Sequence, residues 1–176
     1  MNEENKLYYP LSGLEMIALN PDANLISYAQ LNDIYTAQEL FKGYKKIIIL
    51  YLLNSKQSGH WVCLFINNQG IQFFDSYGKK PDTEIDNLTP RQREEYNQQR
   101  NKLKTILSNY DIFYNDKCLQ KKGTQTCGCF VSHRLNNSSL TDDEYIDAFK
   151  DYKIKDPDEF VANYCLNKLN KLKKNI

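Results

Sequence analysis

An α+β fold, with a small central mixed β-sheet flanked by helices, is what this sequence predicts, and three observations predict it. Residues 46–53 (KIIILYLL) are a continuous apolar run with β-branched residues, the pattern of a strand covered on both faces. Residues 60–66 and 71–75 flank Asn67-Asn68-Gln69-Gly70, the pattern of a β-hairpin with a tight turn. Helix-start signals recur on either side: Thr36-x-x-Glu39, Thr89-Pro90-Arg91-Gln92 and Thr141-x-x-Glu144 are capping boxes.

The first forty-odd residues read as short helices and turns, the last helix opening at Thr36 and ending by Gly43. The buried strand follows, then the hairpin. With Asn67-Asn68 as a two-residue turn, His60 faces Asp75 directly across the strands, with Cβ atoms about 4.5–5.5 Å apart. After Pro81 the chain stays polar until Thr89, where a helix starts that carries Tyr96, Leu103, Leu107 and Tyr110 on one face. A strand is expected within residues 111–119. Cys127 then opens a second major helix, with Phe130, Val131 and Leu135 as its core contacts. Thr141 and Asp156-Pro157-x-Glu159 start two more, the last with Val161, Cys165, Leu169 and Leu172 as a stripe. No repeat, low-complexity tract or long linker divides the sequence. Its 176 residues suffice for one domain over residues 1–176, with a core that needs neither disulfides nor metals.

Composition narrows the function. A net charge of +1 makes no global demand for a polyanionic partner. Lys outnumbers Arg 19 to 4 and Asn also occurs 19 times, a bias that points to an AT-rich genome and says nothing about chemistry. Five scattered cysteines and no secretory signal argue against a disulfide framework and for a reducing compartment. The longest apolar run, residues 47–53, is too short to span a bilayer, so no membrane partner is expected. With two histidines and no Cys-x-x-Cys, neither a metal nor another cofactor is expected. The Cys127-Gly128-Cys129 spacing alone is a weak metal signal.

The chemistry lies in Thr124-Gln125-Thr126-Cys127-Gly128-Cys129-Phe130, preceded by His60-Trp61 and Phe74-Asp75-Ser76. A thiol is mostly protonated at neutral pH and must be activated. Cys127 has two sources of activation: a helix N-terminus, which favours thiolate, and His60 as an ion-pair partner. Asp75 can fix the tautomer of His60 and stabilise its imidazolium. A thiol, an imidazole, a carboxylate and an amide for an oxyanion make up a cysteine acyl-transfer site. Their order, His then Asp then Cys, excludes a papain-type arrangement, in which the nucleophile comes first. Cys129 is the rival nucleophile, but on a helix starting at 127 it points about 200° away from Cys127. Cys127 is nearer the terminus and is favoured; Cys129 is read as packing. Cys63, Cys118 and Cys165 lie in apolar patterns and are expected in the core. His133 lies mid-helix and points away from Cys127, which leaves His60 as the base. Trp61, the single tryptophan, suits either the core or the wall of a narrow substrate cleft. Gln120 and Gln125 compete for the oxyanion role, with the Cys127 amide as a second donor.

His60-Trp61, the hairpin to Phe74-Asp75-Ser76, and Gln120 seven residues before Cys127-Gly128 together resemble the adenovirus-protease and SUMO-protease superfamily of cysteine peptidases. The resemblance covers about residues 46–135. It implies an α+β fold, a His60-Asp75-Cys127 triad and a glutamine oxyanion donor, with Gln120 preferred over Gln125 for its spacing. It also implies cleavage after small residues, typically glycine, with Trp61 walling the channel. Asp75 matches the SUMO-protease acid where the adenovirus enzyme has Glu, and the hairpin is shorter than in either branch. The chain is barely longer than the catalytic core and carries the AT-rich bias. The expectation is therefore a viral, virophage-type maturation protease, acting in the virion and in the host-cell cytoplasm or viral factory. Its partner would be a protein or peptide, a capsid precursor with a glycine-rich cleavage site; whether DNA or a peptide activates it is left open. Lys168, Lys171, Lys173 and Lys174 are read as a solvated helix face. The alternatives are a SUMO- or ubiquitin-like deconjugating protease, an effector-type acetyltransferase with the same triad, and a catalytically dead binding module.

Overall fold

The apolar run forms the expected buried strand: in a computed structural model that describes residues 3–53 and 59–174, β2 spans Lys46–Leu52 and is paired on both edges. β1 (Asn24–Ser27) lies parallel to it, and β3 (Gly59–Asn67) antiparallel. β4 (Gly70–Phe74) pairs with β3 antiparallel, and β5 (Ile112–Tyr114) runs parallel to β4. Among the described residues the sheet is five-stranded and mixed, in the order β1-β2-β3-β4-β5. β1 falls where only helices and turns were expected. Its four residues are too few to show an alternation, and its partner lies beyond the next helix.

Strand alternation gives the sheet two apolar faces. Ile48, Trp61, Cys63, Phe65 and Phe74 pack against α1 (Gly13–Leu19), α6 (Cys127–Asn136), α7 (Asp142–Asp151) and α8 (Pro157–Lys174). On the opposite face Ile47, Ile49, Tyr51, Val62, Leu64 and Phe73 meet a 3-10 helix at Tyr28–Asp33, α2 (Ala37–Phe41), α3 (Thr83–Asp86) and α5 (Lys102–Ile106). Capping boxes at Thr36, Thr89 and Thr141 form as the sequence indicates, and Ser12 adds another at α1. Arg134 ties α6 down: it is fully buried, donates to Asp142 at 3.0 Å and lies over the rings of Phe65 and Tyr145.

Four local expectations are corrected. The helix begun at Thr89 is not continuous but splits into α4 (Pro90–Glu95) and α5. Asn97 and Asn101 adopt left-handed backbone angles (φ 54 and 56), which asparagine tolerates better than most residues. The break lets Gln98 bond both the N–H and the C=O of Leu52 at 2.9 and 2.8 Å, and it leaves Tyr110 half exposed. The α8 stripe buries Val161, Cys165 and Leu169, but Leu172 is 38% exposed. Cys118 sits in an exposed loop and not in the core.

The hairpin register is the fourth. Asn67 pairs with Gly70 and Cys63 with Phe74, so the turn residues are Asn68-Gln69, one step later than expected. The side chain of Asn67 explains the shift: its Oδ1 accepts from the N–H of Gln69 at 2.9 Å, which makes Asn67 the anchor of the turn. Gly70 follows at φ +124, a backbone angle that other residues resist. His60 therefore faces Tyr51 of β2, and Asp75, just past the end of β4, approaches it diagonally.

Candidate active site

His60 is the second residue of β3, Asp75 the first beyond β4, and Cys127 the first of α6, so three element ends meet. All three side chains are buried. His60 Nε2 lies 2.8 Å from Asp75 Oδ1, and the same ring is the chief influence that lowers the pKa of the Cys127 thiol. Because Asp75 takes Nε2, Nδ1 is the nitrogen left for the thiol. Burial works against charge on each group. In His60 the hydrogen bonds to Asp75 and Cys127 and their charges outweigh burial, and its pKa stands well above the usual value. In Cys127 burial is outweighed by His60 and by the N–H groups of Trp61 and Gly128, so its pKa is lowered. In Asp75 burial is outweighed chiefly by His60, with help from Glu84 and the Tyr77 N–H. The arrangement can hold a thiolate beside an imidazolium and aim it into an adjoining groove.

Backbone and ring contacts lock this line. The N–H of Tyr77 donates to Asp75 Oδ1 at 2.8 Å, and the Tyr77 ring stacks on His60 with centroids 5.0 Å apart. Asn115 donates through Nδ2 to the Asp75 carbonyl at 2.8 Å and accepts the Asp75 N–H at 3.2 Å. Ser76 Oγ donates to Gln120 Oε1 at 2.6 Å, and the Ser76 carbonyl accepts the Gln120 N–H at 3.0 Å. Gln120 is buried, and its Nε2 donates to the Thr124 carbonyl at 3.0 Å. An amide carries two N–H donors, so one remains for a further acceptor. Asp158, at the start of α8, holds the same loop: it accepts from the Lys121 N–H at 2.9 Å, from Thr124 Oγ1 at 2.8 Å and from Thr126 Oγ1.

A groove of about 440 Å³ opens beside the thiol, lined by Leu11, Leu25, Leu50, Trp61, Gln125 and Cys127 among others. Trp61 is both core and wall: it is 7% exposed, donates through Nε1 to the Leu11 carbonyl at 3.0 Å and faces the groove. Gly128 makes that packing possible, because a Cβ there would come within 2.9 Å of Met16 Sδ and 3.1 Å of Trp61 Cδ1. Gln125 is exposed and lines the groove, whereas Gln120 is buried and tied to Ser76. Cys129 turns into the core beside Cys165, and that contact and burial push its pKa well up. His133 packs among Tyr145, Phe149, Phe160 and Tyr164, in the wall of a separate cavity of about 480 Å³ that holds no thiol; burial and Arg134 push its pKa down to about 4.

Glu84, Asn115, Tyr77 and Asp158 are site neighbours that sequence reasoning missed. Ser76 stood in a quoted motif; Tyr77 follows it directly and was passed over, while Glu84, Asn115 and Asp158 reach the site from other segments and carry no local signal. Glu84 Oε1 lies 4.0 Å from His60 Nε2 and 3.5 Å from Lys79 Nζ. Donor atoms of His60, Asp75 and Glu84 fall within 4.8 Å of one another. The His60–Asp75 hydrogen bond already uses two of them, so we read the cluster as acid–base machinery.

Residues 35–164 match the model of the Ulp1 protease family, C-terminal catalytic domain. An uncharacterized protein of Sputnik virophage is 31% identical over 157 residues, covering 85% of this chain and 88% of that protein. The solved structure of the C-terminal Ulp1 protease domain in complex with Smt3, the yeast ortholog of SUMO, aligns with 96% of this chain and 82% of its own, at 16% identity and a TM-score of 0.40. With a family model spanning most of its length, this chain belongs to the Ulp1 protease family and is a cysteine peptidase.

Proposed function

We propose that this peptidase is a viral maturation protease that uses Cys127 as nucleophile, His60 as base and Asp75 as orienting acid, and that it processes capsid precursors. The reading rests on the hydrogen bond of Asp75 to His60 and on the influence of His60 on Cys127, with the pKa of the thiol lowered and that of the imidazole raised. Gln120 and the backbone N–H of Cys127 bind the oxyanion. The virophage relative and the Lys- and Asn-rich composition support a viral setting. The enzyme then works in the virion and the host cytoplasm or viral factory, where thiols stay reduced.

Trp61 beside the base narrows the groove, which favours glycine at the cleaved bond; glycine also lets the substrate backbone approach closely. A peptide library profiled against wild type and Trp61→Ala tests this. Wild type should cleave after glycine, and the variant should accept larger residues at a lower rate. Efficient wild-type cleavage after Phe, Leu or Lys defeats the narrow-channel reading. Strong preference for a folded ubiquitin-like protein over its extended C-terminal peptide favours a deconjugating protease instead.

A further inference from the structure

We propose that Glu84 is a positioning residue for the triad: it carries a proton that it donates to the second oxygen of Asp75, and so holds that carboxylate in line with His60. The inference rests on the triad reading above. Asp75 Oδ1 is occupied by His60 and by the Tyr77 N–H. Asp75 Oδ2 is buried and has no hydrogen-bond donor among the described residues; both oxygens of Glu84 also lack one, with Lys79 Nζ 3.5 Å from Oε1 as an ion-pair neighbour. Yet a carboxyl oxygen of Glu84 lies within 4.8 Å of one of Asp75. Two buried acceptors can bond only if one of them is protonated. Asp75 is the group whose charge His60 uses, so the proton belongs on Glu84.

The surroundings agree. Glu84 is 6% exposed and Asp75 fully buried, so ionising both would place two charges together away from water. The titratable groups facing Glu84 are His60 from β3, Asp75 at the end of β4, Lys79 from the following loop and Tyr51 from β2. Burial and then the charge and hydrogen bond of Asp75 push Glu84 up to about 7, against the opposing pull of His60 and Lys79. Above that pH the donor is lost and the two carboxylates repel, which loosens Asp75.

Substitution should separate this role from simple packing. Glu84→Ala leaves Asp75 Oδ2 without a donor and should lower kcat by roughly tenfold or more with little change in KM, the usual scale for a group that orients a reactive one. Glu84→Gln keeps an N–H donor that cannot ionise. It should recover most of the rate lost in the alanine variant and remove the inflection near neutral pH that wild type shows. Iodoacetamide alkylation of Cys127 across the same pH range needs no substrate and should show the same inflection in wild type and its absence in Glu84→Gln. Wild-type kcat in Glu84→Ala, or an unchanged inflection in Glu84→Gln, overturns the role of Glu84 while leaving the triad standing. Alkylation of Cys127 no faster than that of Cys118 at every pH overturns the triad reading and this inference with it. If the alanine variant does not fold, the pH profiles of the glutamine variant decide.

Discussion

At His60 two opposing effects meet: burial disfavours the imidazolium, while Asp75 and Cys127 favour it, and the second effect wins. In the proposed mechanism the active ion pair therefore exists between the lowered pKa of Cys127 and the raised pKa of His60. Activity should rise with pH as the thiol ionises and fall as the imidazolium loses its proton. Asp75→Asn removes a charge that holds the imidazolium. The alkaline limb of kcat/KM should move to lower pH, the acid limb to higher pH, and turnover should fall by up to about 10⁴-fold. An unchanged profile in folded protein would show that Asp75 is a turn former and nothing more. Gln120→Ala should cost roughly 10²–10³ in turnover if it binds the oxyanion. A large loss in Gln125→Ala with none in Gln120→Ala would exchange the two roles. The residues that meet at the candidate site were legible in the sequence because each sits in a short motif whose residue types already suggest a chemistry. Glu84 was not, because one acid among 22 acquires meaning only when α3 carries it to Asp75.

Elements are placed by contacts that run across the chain, which is why their boundaries were less legible than their existence. Asp82 accepts the N–H groups of Leu103 and Lys104 at 3.2 and 2.9 Å, and so caps α5 from outside it. The residue in the capping position, Asn101, makes no side-chain bond there, so no local signal marked the start. The hairpin shows the same limit: turn chemistry named the right tetrapeptide, but the side chain of Asn67 set the register by one step. The diagonal approach of Asp75 survived that slip because it depends on strand ends meeting and not on one pair. Asp158 plays for the loop at 121–126 the part Asp82 plays for α5, holding it by three hydrogen bonds. Asp158→Ala strands those donors and should destabilise the protein by about 3 kcal/mol in denaturant titration, with a fall in kcat as Gln120 loses its anchor at Thr124. Wild-type stability and turnover would show that the loop holds itself.

For the whole molecule, the mixed sheet flanked by helices could be read from the continuous apolar run, the hairpin pattern and the capping boxes, while β1 could not. Its pairing with β2 joins segments separated by a helix, and nothing in four residues announces a partner. Arg134 was likewise silent in the sequence, yet it pins α6, and with it Cys127, against Phe65 and α7. Arg134→Ala should cost about 3–5 kcal/mol by leaving Asp142 and two loop carbonyls without their donor. Thermal or denaturant unfolding checks it. A glycine-based vinyl sulfone with mass-spectrometric mapping of the adduct decides whether the fold activates one thiol of five. Exposure alone favours Cys118, which stands in solvent, whereas activation favours the buried Cys127 with its lowered pKa. A single adduct on Cys127 that disappears in His60→Ala is expected. An adduct on Cys118 or Cys129 with Cys127 unmodified would contradict it.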